Sequence, residues 1–207
     1  MPTGLAVLGL LVMAWAVLCL IRNRPPPGDF GSTSGPPGYP AAGASAAAVP
    51  AASGGRATPP VTLIVPAIGV RAPVLPVDTV DGSLGVPDDP AQIGWWAGSA
   101  LPGSVTGTVV LDGHVDAAAG PGALFRLTDL RAGDTMTVAT ASGRRVTYAV
   151  TGRRAVAKTA GLPSDVFSLD TAPRLAVITC GGAFDRATRS YRDDIVVFAS
   201  RSESPPG

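Results

Sequence analysis

The run LAVITCGGAFDRATRSYRDDIVVFA, residues 175–199, contains two segments rich in valine and isoleucine, separated by a stretch with glycine and arginine. β-Branched segments bounded by glycine and aspartate are typical of β-strands. The pattern therefore predicts strands over residues 174–180 and 193–199. No segment after the N-terminal apolar run sustains the 3.6-residue apolar period of an amphipathic helix, so the folded part is predicted to be all-β.

The same strand-like pattern continues towards the N-terminus. Short apolar runs broken by glycine, proline or aspartate predict further strands over residues 62–65, 72–77, 107–114, 134–139 and 144–151. Ser142-Gly143 predicts a tight hairpin turn between the last two, because glycine tolerates the positive φ that such turns need. Residues 123–130 are expected to form a helical turn or two. The architecture predicted from these runs is a closed barrel or a sandwich.

An uncharged apolar run, GLAVLGLLVMAWAVLCLI, occupies residues 4–21. As a helix it would be about 27 Å long, close to the ~30 Å thickness of a bilayer core. The alternative is a cleaved signal peptide, but no basic residue precedes the run and no small-residue cleavage site follows it. We therefore predict a transmembrane anchor, with its basic flank, over residues 1–24.

Residues 25–60 include 29 proline, glycine, alanine or serine residues among 36, a composition that predicts a disordered linker. A folded domain is expected over residues 61–201 and a flexible tail over 202–207. Arg22 and Arg24 follow the span, which by the positive-inside rule would leave the domain in the cytoplasm. A long flexible linker, however, is more useful as a spacer through a cell wall than in the cytoplasm. We expect a single-pass protein of the cell membrane with an extracytoplasmic domain.

The net charge and the cysteine content argue against a nucleic-acid-binding protein and against a disulfide-stabilised domain. The net charge of +1 provides no attractive field for nucleic acid. Of the two cysteines, Cys19 lies in the apolar run, so the folded part carries one thiol and no internal disulfide.

His114 is the only histidine, and Cys180 is the only cysteine outside the apolar run, so cysteine-histidine chemistry has one possible pair. Each residue ends an apolar run and opens into a glycine-containing loop, where a side chain can be exposed on a rigid support. Taken separately, each is more often structural than catalytic. Asp112, His114 and Asp116 are spaced two residues apart, so on a strand their side chains would share one face and could bind a metal ion. No second histidine or nearby cysteine, however, completes a transition-metal shell. Neither a metal nor another cofactor is expected.

The amino-acid sequences of these segments resemble those of one protein family. VVLDGHVDAAAGPGALFRL, residues 109–127, is similar to the histidine region of actinobacterial class F sortases, and residues 175–199 to their cysteine-arginine region. LIVPAIGVRAPVLPV, residues 63–77, resembles the opening strands. GSLGVPDDPAQIGWWAGSALPG, residues 82–103, resembles the segment before the histidine strand. The likeness covers about residues 61–200 in collinear order.

The resemblance implies an eight-stranded β-barrel and a catalytic set of histidine, cysteine and arginine. These map onto His114, Cys180 and Arg192, although Arg186 and Arg189 also follow the cysteine closely. Thr179 would help to shape the substrate pocket. Asp112 departs from the family, in which a small apolar residue usually stands two positions before the histidine.

The implied reaction is transpeptidation. The cysteine would cleave a Leu-Pro-x-Thr-Gly-like sorting motif between threonine and glycine through a thioester, and an amine would resolve the thioester. The implied partners are surface proteins with a C-terminal sorting signal and an amine acceptor from peptidoglycan or a pilin. Two alternatives are an L,D-transpeptidase, in which histidine and cysteine are almost adjacent rather than 66 residues apart, and a wall-associated β-barrel that binds without catalysis.

Overall fold

The computed structural model describes residues 28–31, 57–80 and 82–202, which form thirteen β-strands and four short 3₁₀ helices. The strands are β1 Phe30–Gly31, β2 Pro60–Val65, β3 Val70–Val77, β4 Thr79–Val80, β5 Ser83–Leu84, β6 Ile93–Trp96, β7 Thr108–Gly113, β8 Asp116–Ala117, β9 Gly120–Pro121, β10 Thr135–Thr140, β11 Arg145–Ala157, β12 Arg174–Asp185 and β13 Ser190–Arg201. The 3₁₀ helices are Pro66–Ile68, Leu127–Asp129, Lys158–Ala160 and Ser164–Phe167.

Eight of these strands close into a barrel, which confirms the all-β prediction. Their order is β11-β10-β2-β3-β6-β7-β12-β13, and the ring closes where β13 pairs with β11. Neighbours are antiparallel except for two pairs, β3 with β6 and β7 with β12. Because β12 pairs with β7 on one side and with β13 on the other, the histidine and cysteine regions lie beside each other.

The barrel interior follows from the two-residue period of the strands. In β10 and β11, Met136, Val138, Val146, Tyr148 and Val150 alternate with exposed or half-buried residues and belong to one buried apolar cluster. A second cluster of seven residues lies outside the ring: Val110, Val156, Val166, Ala176, Ile178, Val196 and Phe198. This outer cluster supports the face on which the candidate site lies.

The hairpin between β10 and β11 turns at Gly143, whose φ is +82°. The Gly143 N–H donates to the Thr140 carbonyl at 2.8 Å, and the strands then pair from Ala139 with Arg145. The turn predicted at Ser142-Gly143 is therefore confirmed. The helical turn expected within 123–130 is the 3₁₀ helix Leu127–Asp129.

All seven predicted strands are present, but the ring also contains β6, which the sequence reading missed. Its four residues are IGWW, of which three are buried, so it shows neither the length nor the alternation of a half-exposed strand. The ring order alone makes this segment necessary, since β6 connects β3 with β7.

Part of the predicted linker contacts the barrel. Phe30 and Gly31 pair with Arg153 and Gly152 of β11, and the Arg153 guanidinium lies 4.8 Å from the centroid of the Phe30 ring. The Asp29 carboxylate accepts a hydrogen bond from the Ala155 N–H at 2.7 Å. Among the described residues, no helix is long and apolar enough to cross a membrane. The predicted anchor over 4–21, most of the linker and residues 203–207 of the tail lie outside them.

Candidate active site

Cys180 lies in β12 at the rim of a cavity on the outer face of the barrel. Its neighbour in the register of β13 is Asp194, and Ile178, two residues earlier, lies beside Asp112 of β7. Residues two apart in a strand share a face, so these side chains point the same way. These side chains line a cavity of about 590 Å³, together with Lys158 and the apolar residues Leu84, Leu162 and Phe167.

His114 follows the last residue of β7. The parallel register of β7 with β12 ends where Asp112 pairs with Ile178. His114 and Cys180 therefore each lie two residues beyond the paired part of these strands, and His114 is not among the described residues that line the cavity. In the described conformation the His114 Nε2 atom lies 2.8 Å from the Pro87 carbonyl oxygen. A carbonyl oxygen only accepts, so Nε2 carries a proton here.

Thr179 connects the two strands immediately before these residues. Its hydroxyl is buried and donates to the Gly113 carbonyl at 2.7 Å. Thr179 belongs to the inward-facing set of β12, whereas Cys180 faces outward. The hydrogen bond thus holds the ends of β7 and β12 together.

The nearest charged group to the Cys180 sulfur, among the contacts of the described residues, is Lys158. Its Nζ atom lies 3.2 Å from Sγ, 3.5 Å from the Ser190 hydroxyl and 3.8 Å from an Asp194 carboxylate oxygen. Lys158 is the only lysine of the sequence and begins the 3₁₀ helix directly after β11. The sequence reading missed it, because only the pairing of β11 with β13 brings it to this face.

Arg192 lies two residues before Asp194 on β13 and therefore emerges on the same face, nearer the rim. Its side chain is 68 % exposed, and Nη2 lies 3.6 Å from an Asp185 carboxylate oxygen. Arg192 is not among the residues that line the cavity. Of the other two candidates, Arg189 has a φ of +52° in the turn between β12 and β13. The arrangement thus brings Cys180 close to Lys158, while Arg192 contacts Asp185.

Asp112 is a buried acid in the cavity wall. It is 4 % exposed, and its Oδ1 atom has no hydrogen-bond partner among the residues that the structure describes. Burial raises the pKa of this carboxyl to about 7, with a backbone hydrogen bond acting in the opposite direction. Gly94 is its neighbour on β6, and a Cβ atom there would lie 2.3 Å from Oδ1, so only glycine leaves room for the carboxyl group.

Asp194 is the second acid of the cavity. Burial raises the pKa of its carboxyl, Lys158 lowers it, and neighbouring Asp193 raises it. Asp116, the last residue of the alternating run Asp112, His114 and Asp116, lies in β8 and accepts a hydrogen bond from the Tyr191 hydroxyl at 2.7 Å. Within 28–31, 57–80 and 82–202, no group of three histidine, cysteine or acidic residues could hold a metal ion.

Comparison with known proteins identifies one family. The family model described as the sortase domain matches residues 63–202, which is more than half of the 207-residue chain. A search of curated protein sequences gives no match.

Solved structures with a similar fold include sortase C-1 from Actinomyces oris, at 21 % identity and a TM-score of 0.53, with 69 % of this chain and 73 % of that chain covered. Sortase C1 from Streptococcus suis matches at 16 % identity and a TM-score of 0.55, covering 72 % and 75 %. A lid mutant of sortase A from Corynebacterium diphtheriae matches at 25 % identity and a TM-score of 0.52, covering 73 % and 75 %. These neighbours are sortases A and C.

Proposed function

This chain belongs to the sortase family of cysteine transpeptidases, and on that premise we propose that it cleaves a Leu-Pro-x-Thr-Gly-like sorting motif and transfers the acyl part to an amine. The observation that carries the proposal is the placement of Cys180. Cys180 lines the 590 Å³ cavity, and Lys158 Nζ lies 3.2 Å from its sulfur. A cysteine used only for packing would not need a cation at this distance.

The proposed cycle begins when the Cys180 thiolate attacks the threonine carbonyl carbon. The tetrahedral intermediate collapses, the Thr-Gly C–N bond breaks, and His114 protonates the leaving amine. The products of this half are a thioester on Cys180 and a peptide with a free amino terminus. An incoming amine then attacks the thioester, gives its proton to His114 and releases the thiolate. Because Pro87 holds the Nε2 proton in the described conformation, proton donation from Nε2 requires that this hydrogen bond break.

Arg192 is the arginine that we propose for the oxyanion, following the family motif. A guanidinium keeps its charge at all relevant pH values and offers fixed donors, which suits it to the developing negative charge. Its exposed side chain, paired with Asp185, must leave that carboxylate to reach the cavity. Thr179 is proposed to shape the pocket indirectly: its hydroxyl donates to the Gly113 carbonyl and so fixes the ends of β7 and β12, rather than donating to the substrate.

Substrate class and location complete the proposal. The GHVD and ITCGG motifs support a class F assignment, with surface proteins that carry a C-terminal sorting signal as acyl donors and peptidoglycan or a pilin as the amine. Residues 4–21 are proposed to anchor the chain in the cell membrane, with the barrel outside the cytoplasm. Deletion of residues 4–21 should release the chain into the soluble fraction. Protease added to intact cells should digest the barrel only if the barrel is external.

The activity is tested with the full-length chain in detergent, a set of quenched fluorescent sorting-motif peptides and a glycine-based amine. We expect cleavage and transfer by the wild type, and an acyl group on the peptide that contains Cys180. Cys180→Ala should reduce cleavage to background. Cys19→Ala is the matched control, since it removes the other cysteine, and should retain activity. Equal cleavage by Cys180→Ala would exclude Cys180 as the nucleophile, and no turnover of any peptide by the wild type would favour a non-catalytic binding domain.

A further inference from the structure

Lys158 contacts three groups at the cavity wall. An ammonium group has three N–H donors and no acceptor, and its partners here are the Cys180 sulfur at 3.2 Å, the Ser190 hydroxyl at 3.5 Å and the Asp194 carboxylate at 3.8 Å. Its side chain is 33 % exposed. The ammonium therefore lies between one sulfur and one carboxylate in a half-buried setting.

The chemistry of the Lys158–Cys180 contact favours one ionic form of the sulfur. A thiol is a weak acceptor, whereas a thiolate is an anion that an ammonium group stabilises strongly. The cavity is also lined by Leu84, Leu162, Phe167 and Ile178. Apolar walls exclude part of the water that would screen the charges, so the attraction is stronger here than at an open surface.

The fold keeps this cation in place. Lys158 begins a 3₁₀ helix that follows β11, and β11 pairs with β13 up to Ala157 opposite Asp193. Lys158 therefore emerges beside Asp194, which is itself the register partner of Cys180. Arg192, by contrast, has a side chain that is 68 % exposed, and its guanidinium pairs with Asp185.

We propose that Lys158 is a catalytic residue: its ammonium group holds the Cys180 sulfur as the thiolate, and Asp194 positions Lys158. The inference rests on the proposed role of Cys180 as the nucleophile and adds a lysine to the histidine, cysteine and arginine of the family motif. The thiol proton leaves for His114 or for water. Lys158 remains protonated throughout the cycle, so no bond to it forms or breaks.

The test measures alkylation of Cys180 by neutral iodoacetamide, which needs no peptide substrate. The full-length chain is used, and mass spectrometry of the peptide that contains Cys180 separates its modification from that of Cys19. Loss of the charge in Lys158→Met lowers the thiolate fraction, while each remaining thiolate becomes somewhat more nucleophilic. We expect a net slowing of about fivefold at pH 7. Lys158→Arg, which keeps the charge, should alkylate within about twofold of the wild type.

Arg145→Met is the matched control, because Arg145 is an exposed cation at the opposite end of β11. It should alkylate at the wild-type rate. A Lys158→Met rate within about threefold of the wild type, an equal slowing in Arg145→Met, or a Lys158→Arg rate as slow as that of Lys158→Met would each overturn the proposal. If Lys158→Met does not fold, as judged by its thermal melt, Lys158→Gln replaces it under the same criteria.

Peptide turnover distinguishes this inference from the proposed function. If the wild type cleaves no sorting-motif peptide but its alkylation depends on the charge of Lys158, the substrate assignment fails and the thiolate pair stands. If the wild type cleaves peptides and alkylation does not depend on that charge, transpeptidation stands and Lys158 is not the stabilising cation.

Discussion

Strands β7, β12 and β13 present two faces that differ in chemistry. Most of their inward positions are apolar, with the polar Thr179 as an exception. The apolar members of the interior cluster are Val109, Leu111, Leu175, Val177, Val197 and Ala199. Their outward positions are apolar in the middle and polar at both ends. The apolar residues are Val110, Ala176, Ile178, Val196 and Phe198; Thr108 and Arg174 lie at one end, and Asp112, Cys180 and Asp194 lie at the cavity. The same three strands therefore supply stability through one face and reactive groups through the other.

The two faces also differ in the buried polar groups that lower the stability of the fold. Among the described residues, both faces bury a polar atom that has no hydrogen-bond partner: the indole Nε1 of Trp95 in the interior and Oδ1 of Asp112 on the outer face. Within β7, β12 and β13, only the outer face buries an ionisable group in this way. Buried polar groups of this kind destabilise a fold unless they are neutral or paired. Four changes test this contrast, in decreasing order of their effect on stability.

Asp112→Asn should remove a pH dependence that the outer face creates. Burial raises the pKa of Asp112 from its ordinary value of 3.8 to about 7, so between these values the folded state retains a proton that the unfolded state loses. The stability that protonated Asp112 allows is present below about pH 4 and is lost as the pH rises through about 7, a difference on the order of 4 kcal/mol.

Denaturant unfolding of the wild type and Asp112→Asn at pH 4 and pH 8 measures this difference. The two proteins should have similar stability at pH 4, and the variant should be more stable at pH 8. Parallel changes in both proteins with pH would show that Asp112 does not carry the effect.

Leu111→Ala tests the interior face of the same strand. Leu111 is fully buried, and a leucine truncated in such a site costs about 3 kcal/mol, from lost burial plus a cavity. The loss should be the same at pH 4 and pH 8, because no titrating group is involved. Chemical denaturation at both values measures it, and a loss that varies with pH would mean that the two faces are not independent.

Thr179→Val keeps the shape of the side chain and removes its hydroxyl. The buried Gly113 carbonyl then loses a 2.7 Å hydrogen bond between the ends of β7 and β12, at a cost of about 1 kcal/mol. Under the proposed function, peptide cleavage should fall as well, since His114 and Cys180 follow these two residues. A variant with reduced thermal stability and unchanged cleavage would limit Thr179 to a structural role.

Arg192→Met should have the smallest effect on stability. Its own side chain is exposed and its partner Asp185 is half-buried; ion pairs at the surface contribute little, so the Tm should be unchanged. If Arg192 stabilises the oxyanion, peptide cleavage should nevertheless fall by about a hundredfold. Arg186→Met and Arg189→Met are the matched comparisons. A fall in one of these and not in Arg192→Met would move the proposed role to that arginine.

The sequence predicted those features that depend on residues close to one another in the chain. Runs of valine and isoleucine predicted seven of the ring strands, because strand alternation is a property of neighbours in the chain. β6 was missed, because its residues are buried on both sides and carry no alternation. His114 and Cys180 were identifiable because each is the only candidate of its type outside the apolar run.

By itself, then, the sequence determined an all-β domain, its hairpin at Ser142-Gly143 and a single possible cysteine-histidine pair. Only the tertiary structure decided which cation lies beside the Cys180 sulfur. Twelve residues separate Arg192 from Cys180 and twenty-two separate Lys158, yet Lys158 is the one in contact with the sulfur. The reason is the closure of the ring: β11 pairs with β13, and this long-range pairing, which no local pattern records, carries the residue after β11 to the outward face of β12.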